Sequence, residues 1–268
     1  MADRITGGYT VYGARIGILM LDSRFPRIPG DIGNATTFSF PVAYKIAKGA
    51  LNTRMDEMLL EFSRGDRNIT EQADNDVVRL FIRLFVESAK ELIRDERVRA
   101  ITTSCGFLAA FQKEIADAVN VPVFTSSLMQ IPLAYSLLKR DQKVGVITAR
   151  KKNLTKQVLA AIGVEHVPMK IVGMDDTEEF ARVFSGRKYP SNETPTIDPK
   201  KIENEMTEVA NGLIEKFPSV GAIVLECTNM PPYAHAVQKA TGLAVFDIVT
   251  LTNLVHAALV RKKIEGWL

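Results

Sequence analysis

The chain of 268 residues has two cysteines, Cys105 and Cys227, each set in a short run of small or polar residues. These runs are Thr103-Ser104-Cys105-Gly106 and Glu226-Cys227-Thr228-Asn229. An apolar stretch precedes each (Ala100-Ile101 and Ala222-Ile223-Val224-Leu225), and a helical-looking segment follows each. A thiol at a strand-to-helix junction lies near the positive end of a helix dipole, which predicts a pKa below the free value of about 8.5. Several chemistries are excluded by spacing. The three histidines, His166, His235 and His256, form no ligand pair with the cysteines, so no metal is expected. A thioredoxin-like role needs C-x-x-C, which is absent. A cysteine hydrolase could use His235 or His256 as base, but the second thiol would then have no task. There is no phosphate-binding glycine-rich loop ending in Gly-Lys, and Gly13-Ala14-Arg15-Ile16-Gly17 is not a dinucleotide fingerprint. The plainest alternative is structural, with both cysteines buried as small residues at strand ends.

The two sites are related by a repeat. Val98–Leu137 aligns without gaps on Val220–Leu259 at an offset of 122, superposing Ala100 on Ala222, Ile101 on Ile223 and Cys105 on Cys227. Val123-Phe124 then meets Val245-Phe246, and Leu137 meets Leu259. At a slightly different offset, Arg15-Ile16-Gly17-Ile18-Leu19 resembles Lys143-Val144-Gly145-Val146-Ile147. Two similar α/β halves, each offering one thiol to a shared cleft, are the reading this supports. Two equivalent thiols suit proton transfer at one carbon from opposite faces: one thiolate removes the proton α to a carboxylate, and the opposite thiol returns one. Backbone N–H groups at the helix starts would stabilise the carbanion.

These residues resemble the aspartate/glutamate/hydantoin racemase superfamily, through Thr103-Ser104-Cys105, Glu226-Cys227-Thr228-Asn229 and Asp22-Ser23 at the end of the first strand. The resemblance implies two pseudo-symmetric, Rossmann-like three-layer α/β domains with mostly parallel sheets and the active site between them. It implies a cofactor-independent amino-acid racemase with Cys105 and Cys227 as catalytic bases and Asp22 assisting the first. Thr148, ending the strand that opens the second half, is implied as a site residue. Thr103, Ser104, Gly106, Thr228 and Asn229 border the thiols and, with Ser23 at the end of the first strand, are candidate substrate contacts. Three positions depart from the family pattern. Cys105-Gly106-Phe107 stands where glutamate racemases have Cys-Asn-Thr, Asn229 where relatives have histidine or glutamate, and Glu226 where many have glycine. Asn229 cannot act as an acid or base near neutral pH, and Phe107 points to a less polar substrate. A cis–trans isomerase or decarboxylase of the same superfamily, and a non-catalytic two-domain binder of small acids, are the competing readings.

The elements expected to position these residues alternate between strand and helix. Ile16–Leu21 reads as a buried parallel strand. The long Arg24–Asn34 segment, with its prolines and glycines, reads either as a loop closing over an anionic ligand through Arg24 or Arg27 and Asn34 or as a solvated excursion with ordinary surface arginines. Pro41–Ala47 and Met55–Phe62 predict a short strand and a short helix, and Asp74–Asp95 an amphipathic helix. Val98–Thr102, Val121–Phe124, Lys143–Thr148, Val167–Val172, Val220–Leu225 and Gly242–Phe246 predict strands. Phe107–Val119, Leu128–Lys139, Asn153–Ile162, Pro199–Phe217, Pro231–Thr241 and Leu251–Glu265 predict helices. Met1–Ala14 reads as a loosely held arm and Ser185–Pro195 as a mobile surface loop. The first half is expected over 1–128 and the second over 129–249, with a closing helix at about 250–268 packing back on the first.

Composition limits the partners. With 46% hydrophobic and 24% charged residues and a net charge of +3, the chain reads as an ordinary globular protein. It has no dense basic run with interleaved aromatics, so nucleic acid is not an expected partner. Neither a membrane-length apolar stretch nor a signal-like N-terminus is apparent, so a cytoplasmic location with reduced thiols and no membrane partner is expected. The expected partners are a small-molecule carboxylate substrate and further copies of the chain, as a dimer or higher homo-oligomer; no cofactor is expected.

Overall fold

A computed structural model of the chain describes residues 7–13, 15–64, 77–184, 194–264 and 266. Part of the expected N-terminal arm, most of the expected mobile loop and the first residues of the expected amphipathic helix lie outside them. Two four-stranded parallel sheets form the molecule. The first contains β1 (Ile16–Asp22), β2 (Val42–Leu51), β3 (Ala100–Thr103) and β4 (Val123–Phe124) in the order β2-β1-β3-β4. The second contains β5 (Lys143–Thr148), β6 (Met169–Gly173), β7 (Val220–Leu225) and β8 (Ala244–Phe246) in the order β6-β5-β7-β8. The two orders are the same permutation, so β5 to β8 repeat β1 to β4 and each cysteine follows an equivalent strand.

Burial on both faces explains the continuous apolar run of β1. Ile16, Ile18 and Met20 join one hydrophobic cluster, whereas Leu19 and Leu21 point to the other. The glycines shared by the two repeats also gain a reason. A Cβ on Gly17 would lie 3.0 Å from Leu92 and 3.1 Å from Val98, and one on Gly145 would lie 2.8 Å from both Leu213 and Val220. Leu92 and Leu213 belong to the longest helices, α2 (Val77–Glu96) and α7 (Pro199–Lys216), after α1 (Met55–Arg64) opens the series. Each central strand therefore carries a glycine where its covering helix comes closest.

Where single helices are expected after β3, β4 and β7, the chain first makes a tight 3-10 turn. Gly106–Phe111 precedes α3 (Gln112–Asp117), Ser127–Gln130 precedes α4 (Ile131–Ser136), and Pro231–Tyr233 precedes α8 (Ala234–Thr241). Such turns are common at helix ends and let the backbone leave a strand sharply. Another tight turn, Lys151–Asn153, precedes α5 (Lys156–Ala161), and α6 (Glu179–Phe184) is a helix the periodicity did not reveal. Gly242, expected to start a strand, instead ends α8 in the left-handed conformation at φ 68°. The last helix, α9 (Ile248–Leu259), starts earlier than expected because Asp247 and Thr250 form a capping box. Its Ile248 and Leu251 pack on the first sheet beside Ile18 and Phe124. Among the described residues, no helix is long and apolar enough to cross a membrane.

Candidate active site

The cysteine loops leave the sheets in the same way. Ser104 N–H donates to Leu19 O at 2.9 Å, and its repeat counterpart Glu226 N–H donates to Ile147 O at 2.8 Å. The side chains continue the correspondence. Ser104 Oγ accepts from Leu21 N–H (2.8 Å), while Glu226 Oε2 accepts from Ala149 N–H (3.1 Å). The residue before each cysteine thus caps the end of the neighbouring central strand, as a neutral hydroxyl in one half and a carboxyl in the other. Glu226 reaches further and also accepts from Thr148 Oγ1 at 2.8 Å.

Each loop then crosses to the opposite half. Thr228 Oγ1 donates to Ser104 O at 2.7 Å. Its counterpart Gly106 packs on Glu226 so closely that a Cβ there would overlap both the backbone O and Oε1 of Glu226. The two departures from the family pattern, glycine after the first cysteine and glutamate before the second, are therefore two sides of one contact. Ser127 Oγ adds another crossing bond, donating to Leu225 O at 2.6 Å.

Cys105 is buried at 9% exposure and Cys227 is partly buried. The expectation of a lowered thiol pKa does not hold. Burial pushes Cys105 up to about 12, the Glu226 carboxylate adds to this, and the backbone N–H groups of Phe107 and Leu108 pull only weakly against it. Burial likewise raises Cys227 well above the ordinary thiol value, again with help from Glu226 and against the N–H of Asn229. The field of a few turn amides is present, as the dipole argument requires, but desolvation of the thiolate outweighs it. The thiols differ in their hydrogen bonds. Cys227 Sγ donates to Asn229 Oδ1 at 3.4 Å, and Asn229 Nδ2 donates to Asp31 Oδ2 at 2.5 Å across the two halves.

The Arg24–Asn34 segment lies against the second half, as Ile32 N–H donates to Thr228 O (3.5 Å) and Phe25 stacks edge-on against Phe184 at 5.1 Å. Its polar groups are largely spent on itself. Arg27 Nη1 binds Asp31 Oδ1 at 2.7 Å and Nη2 donates to Ser23 Oγ at 3.2 Å. Asn34 Nδ2 donates to Arg27 O (2.8 Å), and its Oδ1 accepts from Thr36. Asp22 Oδ2 accepts from Gly49 N–H at 3.1 Å, and Arg24 is exposed. Thr103 Oγ1 donates to Thr125 O (2.7 Å), holding the β3 end in place beneath Cys105. The structure thus gathers Cys105, Cys227, Ser104, Gly106, Thr148, Thr228 and Asn229 at one junction, with Thr103 beneath it. Asp22, Ser23, Arg27 and Asn34 bond within the first half. The histidines have other partners, with His235 Nδ1 at 3.2 Å from Pro232 O and His256 stacked on Phe40 at 3.6 Å.

Three charged groups escaped the sequence reading in their roles. Glu226 stood out only as a departure from pattern, and its burial at 1% exposure appears only in the fold. Its carboxyl pKa is pushed up to about 7 by that burial. Asp31 was one polar residue in a long loop. Arg150, just beyond Thr148, bears on Cys105 by lowering its thiol pKa. Arg150 Nη1 is bonded to Asp56 on α1, and Asn153 Nδ2 donates to the other oxygen of Asp56 at 2.7 Å. Position just past a central strand end was the signal that could have marked Arg150.

No protein-family model matches the chain. It is 28% identical over 241 residues to a dimethylsulfoniopropionate lyase of Durusdinium sp. clade D, covering 88% of this chain and 72% of that protein. Dimethylsulfoniopropionate lyases 5 and 3 of Emiliania huxleyi are 27% and 26% identical, over 91% and 94% of this chain. The chain spans 45% and 62% of the lengths of those two relatives. Among solved structures it resembles arylmalonate decarboxylase, with a TM-score of 0.52 at 11% identity, covering 91% of this chain and 92% of the other. An aspartate racemase homologue of Pyrococcus horikoshii gives 0.52 at 15% identity, covering 92% and 100%. Allantoin racemase of Pseudomonas fluorescens gives 0.51 at 12% identity, covering 94% and 100%. The two-domain parallel α/β arrangement is thus that of the racemase and decarboxylase fold.

Proposed function

We propose that this chain, built on the racemase and decarboxylase fold, is a cofactor-independent lyase that removes a proton α to a carboxylate with a cysteine and expels a β-substituent. Dimethylsulfoniopropionate is the first substrate to test. The observation that carries the reading is the unequal setting of the two thiols. A racemase asks each thiol to act as acid and as base in turn, so comparable surroundings serve it best. The Glu226 carboxyl acts on both thiols, but Cys227 also places its proton on an amide oxygen, a bond with no counterpart at Cys105 among the described residues. That inequality suits an elimination, in which one group takes a proton and none is returned to the opposite face. The relatives' names supply the leaving group.

The chemistry balances without an oxidant or reductant. The base takes the α-proton, the C–H electrons become a C=C bond, and the C–S bond breaks with its electron pair onto sulfur. The products are acrylate, dimethyl sulfide and a proton on the enzyme. Arg150 is the cation assigned to the substrate carboxylate, where a guanidinium steadies the charge that develops on its oxygens. Cys227 and Asn229 are assigned to the opposite side of the reacting carbon.

The test is direct. The purified chain, given dimethylsulfoniopropionate, should release dimethyl sulfide and acrylate in equal amounts, and Cys105→Ala should lower the rate by about 10²–10⁴-fold, the scale of losing a positioned base. Absence of both products from the wild-type chain would refute the lyase reading. If α-deuterium then entered chiral carboxylic acids in deuterated water with inversion, the two-base racemase reading would replace it.

A further inference from the structure

We propose that Glu226 is the proton acceptor for Cys105, the two holding a single proton between them, so that Cys105 rather than Cys227 is the base; the assignment of a base rests on the carbon-acid reading above. Glu226 is where the pseudo-symmetry of the cleft breaks. Its counterpart Ser104 performs the same capping bond with a hydroxyl. A neutral cap would therefore have served, yet a carboxyl was placed there and buried to 1% exposure. Its orientation is fixed, because Oε2 accepts from both Thr148 Oγ1 and Ala149 N–H. Oε1 is left against the Cys105–Gly106 peptide, in the space that a Cβ on Gly106 would need. The absence of a side chain at Gly106 gives this carboxyl its place against the peptide that follows Cys105.

The surrounding charges agree with this role. From the Thr148 side Arg150, itself bonded to Asp56, lowers the Cys105 thiol pKa through its charge. From the loop side Asp31 acts on Cys227, and it is tied to Arg27, Gly33 N–H and Asn229. Glu226 acts on Cys227 too, but the Cys227 thiol already donates to the amide oxygen of Asn229, which cannot take up a proton near neutral pH. A buried carboxylate beside Cys105 opposes thiolate formation for as long as it stays charged. Moving the thiol proton to Glu226 removes that charge and leaves a carboxylic acid able to donate to the thiolate. Glu226 titrates at about 7, so it is available as an acceptor near neutral pH. The proton passes from Cys105 Sγ to the Glu226 carboxylate, and the thiolate then takes the α-proton. The dyad ends with two protons, one of which leaves to solvent before the next turnover. Glu226 acts through Cys105 and is thus a positioning residue.

The experiment follows alkylation of Cys105 by iodoacetamide against pH in Cys227→Ala, with and without Glu226→Gln, alongside kcat/KM for dimethylsulfoniopropionate in the wild-type chain and Glu226→Gln. With the carboxyl present, both rates should rise to about pH 7 and then level off, because one proton stays on the dyad. In the Glu226→Gln variants they should climb about tenfold per pH unit through that range, as for an isolated buried thiol. Thr148→Val, which removes one donor from the carboxylate, should move the break to higher pH and does not depend on the folding of Glu226→Gln. Identical profiles with and without the carboxyl, or a break unmoved in Thr148→Val, would overturn the dyad. Alkylation needs no substrate, so a break in its profile without release of dimethyl sulfide would uphold the dyad and reject the lyase reading alone.

Discussion

At the scale of residues, Glu226 ties stability to pH in a direction opposite to the usual salt-bridged carboxylate. Its folded pKa, about 7, lies above the ordinary 4.5 because burial disfavours the charged form. The folded state therefore binds this proton more tightly than the unfolded chain does. Stability from this group is undiminished below about 4.5, falls as pH rises, and is at its lowest above about 7. Glu226→Gln keeps acceptor capacity for Thr148 and Ala149 without the charge. It should be more stable than the wild-type chain at pH 8 by on the order of 3 kcal/mol, and the difference should vanish near pH 4. Urea unfolding at the two pH values measures this. A gain that persists at pH 4 would trace to packing and remove ionisation as the cause.

Elements show how a long irregular segment is made rigid. The 24–34 loop has few regular backbone bonds, and Asp31 substitutes for them. Its carboxylate accepts from Arg27, from Gly33 N–H and from Asn229 of the other half, with its side chain only 3% exposed. Removing one member of such a buried pair leaves its partner uncompensated, which costs about 3–5 kcal/mol. Asp31→Ala should lose stability on that scale, and its amide exchange should rise over residues 27–37 before it rises in β1. Exchange unchanged in the loop would mean that the apolar contacts of Phe25 and Ile32 hold it alone. The same bonding network explains why Arg27, expected as a ligand clamp, is committed to the loop itself.

The whole molecule is two copies of one sheet plan joined by exchanged contacts. Thr228 reaches Ser104, Gly106 receives Glu226, Asn229 holds Asp31, and Asp56 binds Arg150 and Asn153. The main hydrophobic cluster continues through both halves, from Leu19 and Ile101 to Val146 and Val224. Cooperative unfolding of the halves as one unit is therefore expected. Asp56→Ala cuts a strap that lies apart from the cysteine loops, and because Asp56 is partly exposed the loss should be about 1–2 kcal/mol. A single urea transition with an unchanged slope, shifted to lower urea, is the expected result; two resolved transitions would show that the halves unfold separately.

Much of this plan was legible along the chain. The apolar runs at Ile16, Lys143 and Val220 marked parallel strands, and the gapless match around Cys105 and Cys227 marked two equivalent halves, because parallel strands buried on both faces leave a continuous apolar record. The glycines at 17 and 145 belonged to that record, although only the packing of Leu92 and Leu213 above them shows why they recur. The thiol positions were readable for the same reason, as residues at equivalent strand ends. Their acidity was not. A dipole argument uses neighbours in sequence, whereas thiol pKa depends on water lost to contacts between residues more than a hundred positions apart. The roles of Glu226, Asp31 and Arg150 were hidden likewise, since a carboxylate in a loop and one buried beside a thiol are written with the same letter. Local order sets where a side chain leaves the backbone; the tertiary structure decides what surrounds it, and that environment determines its charge.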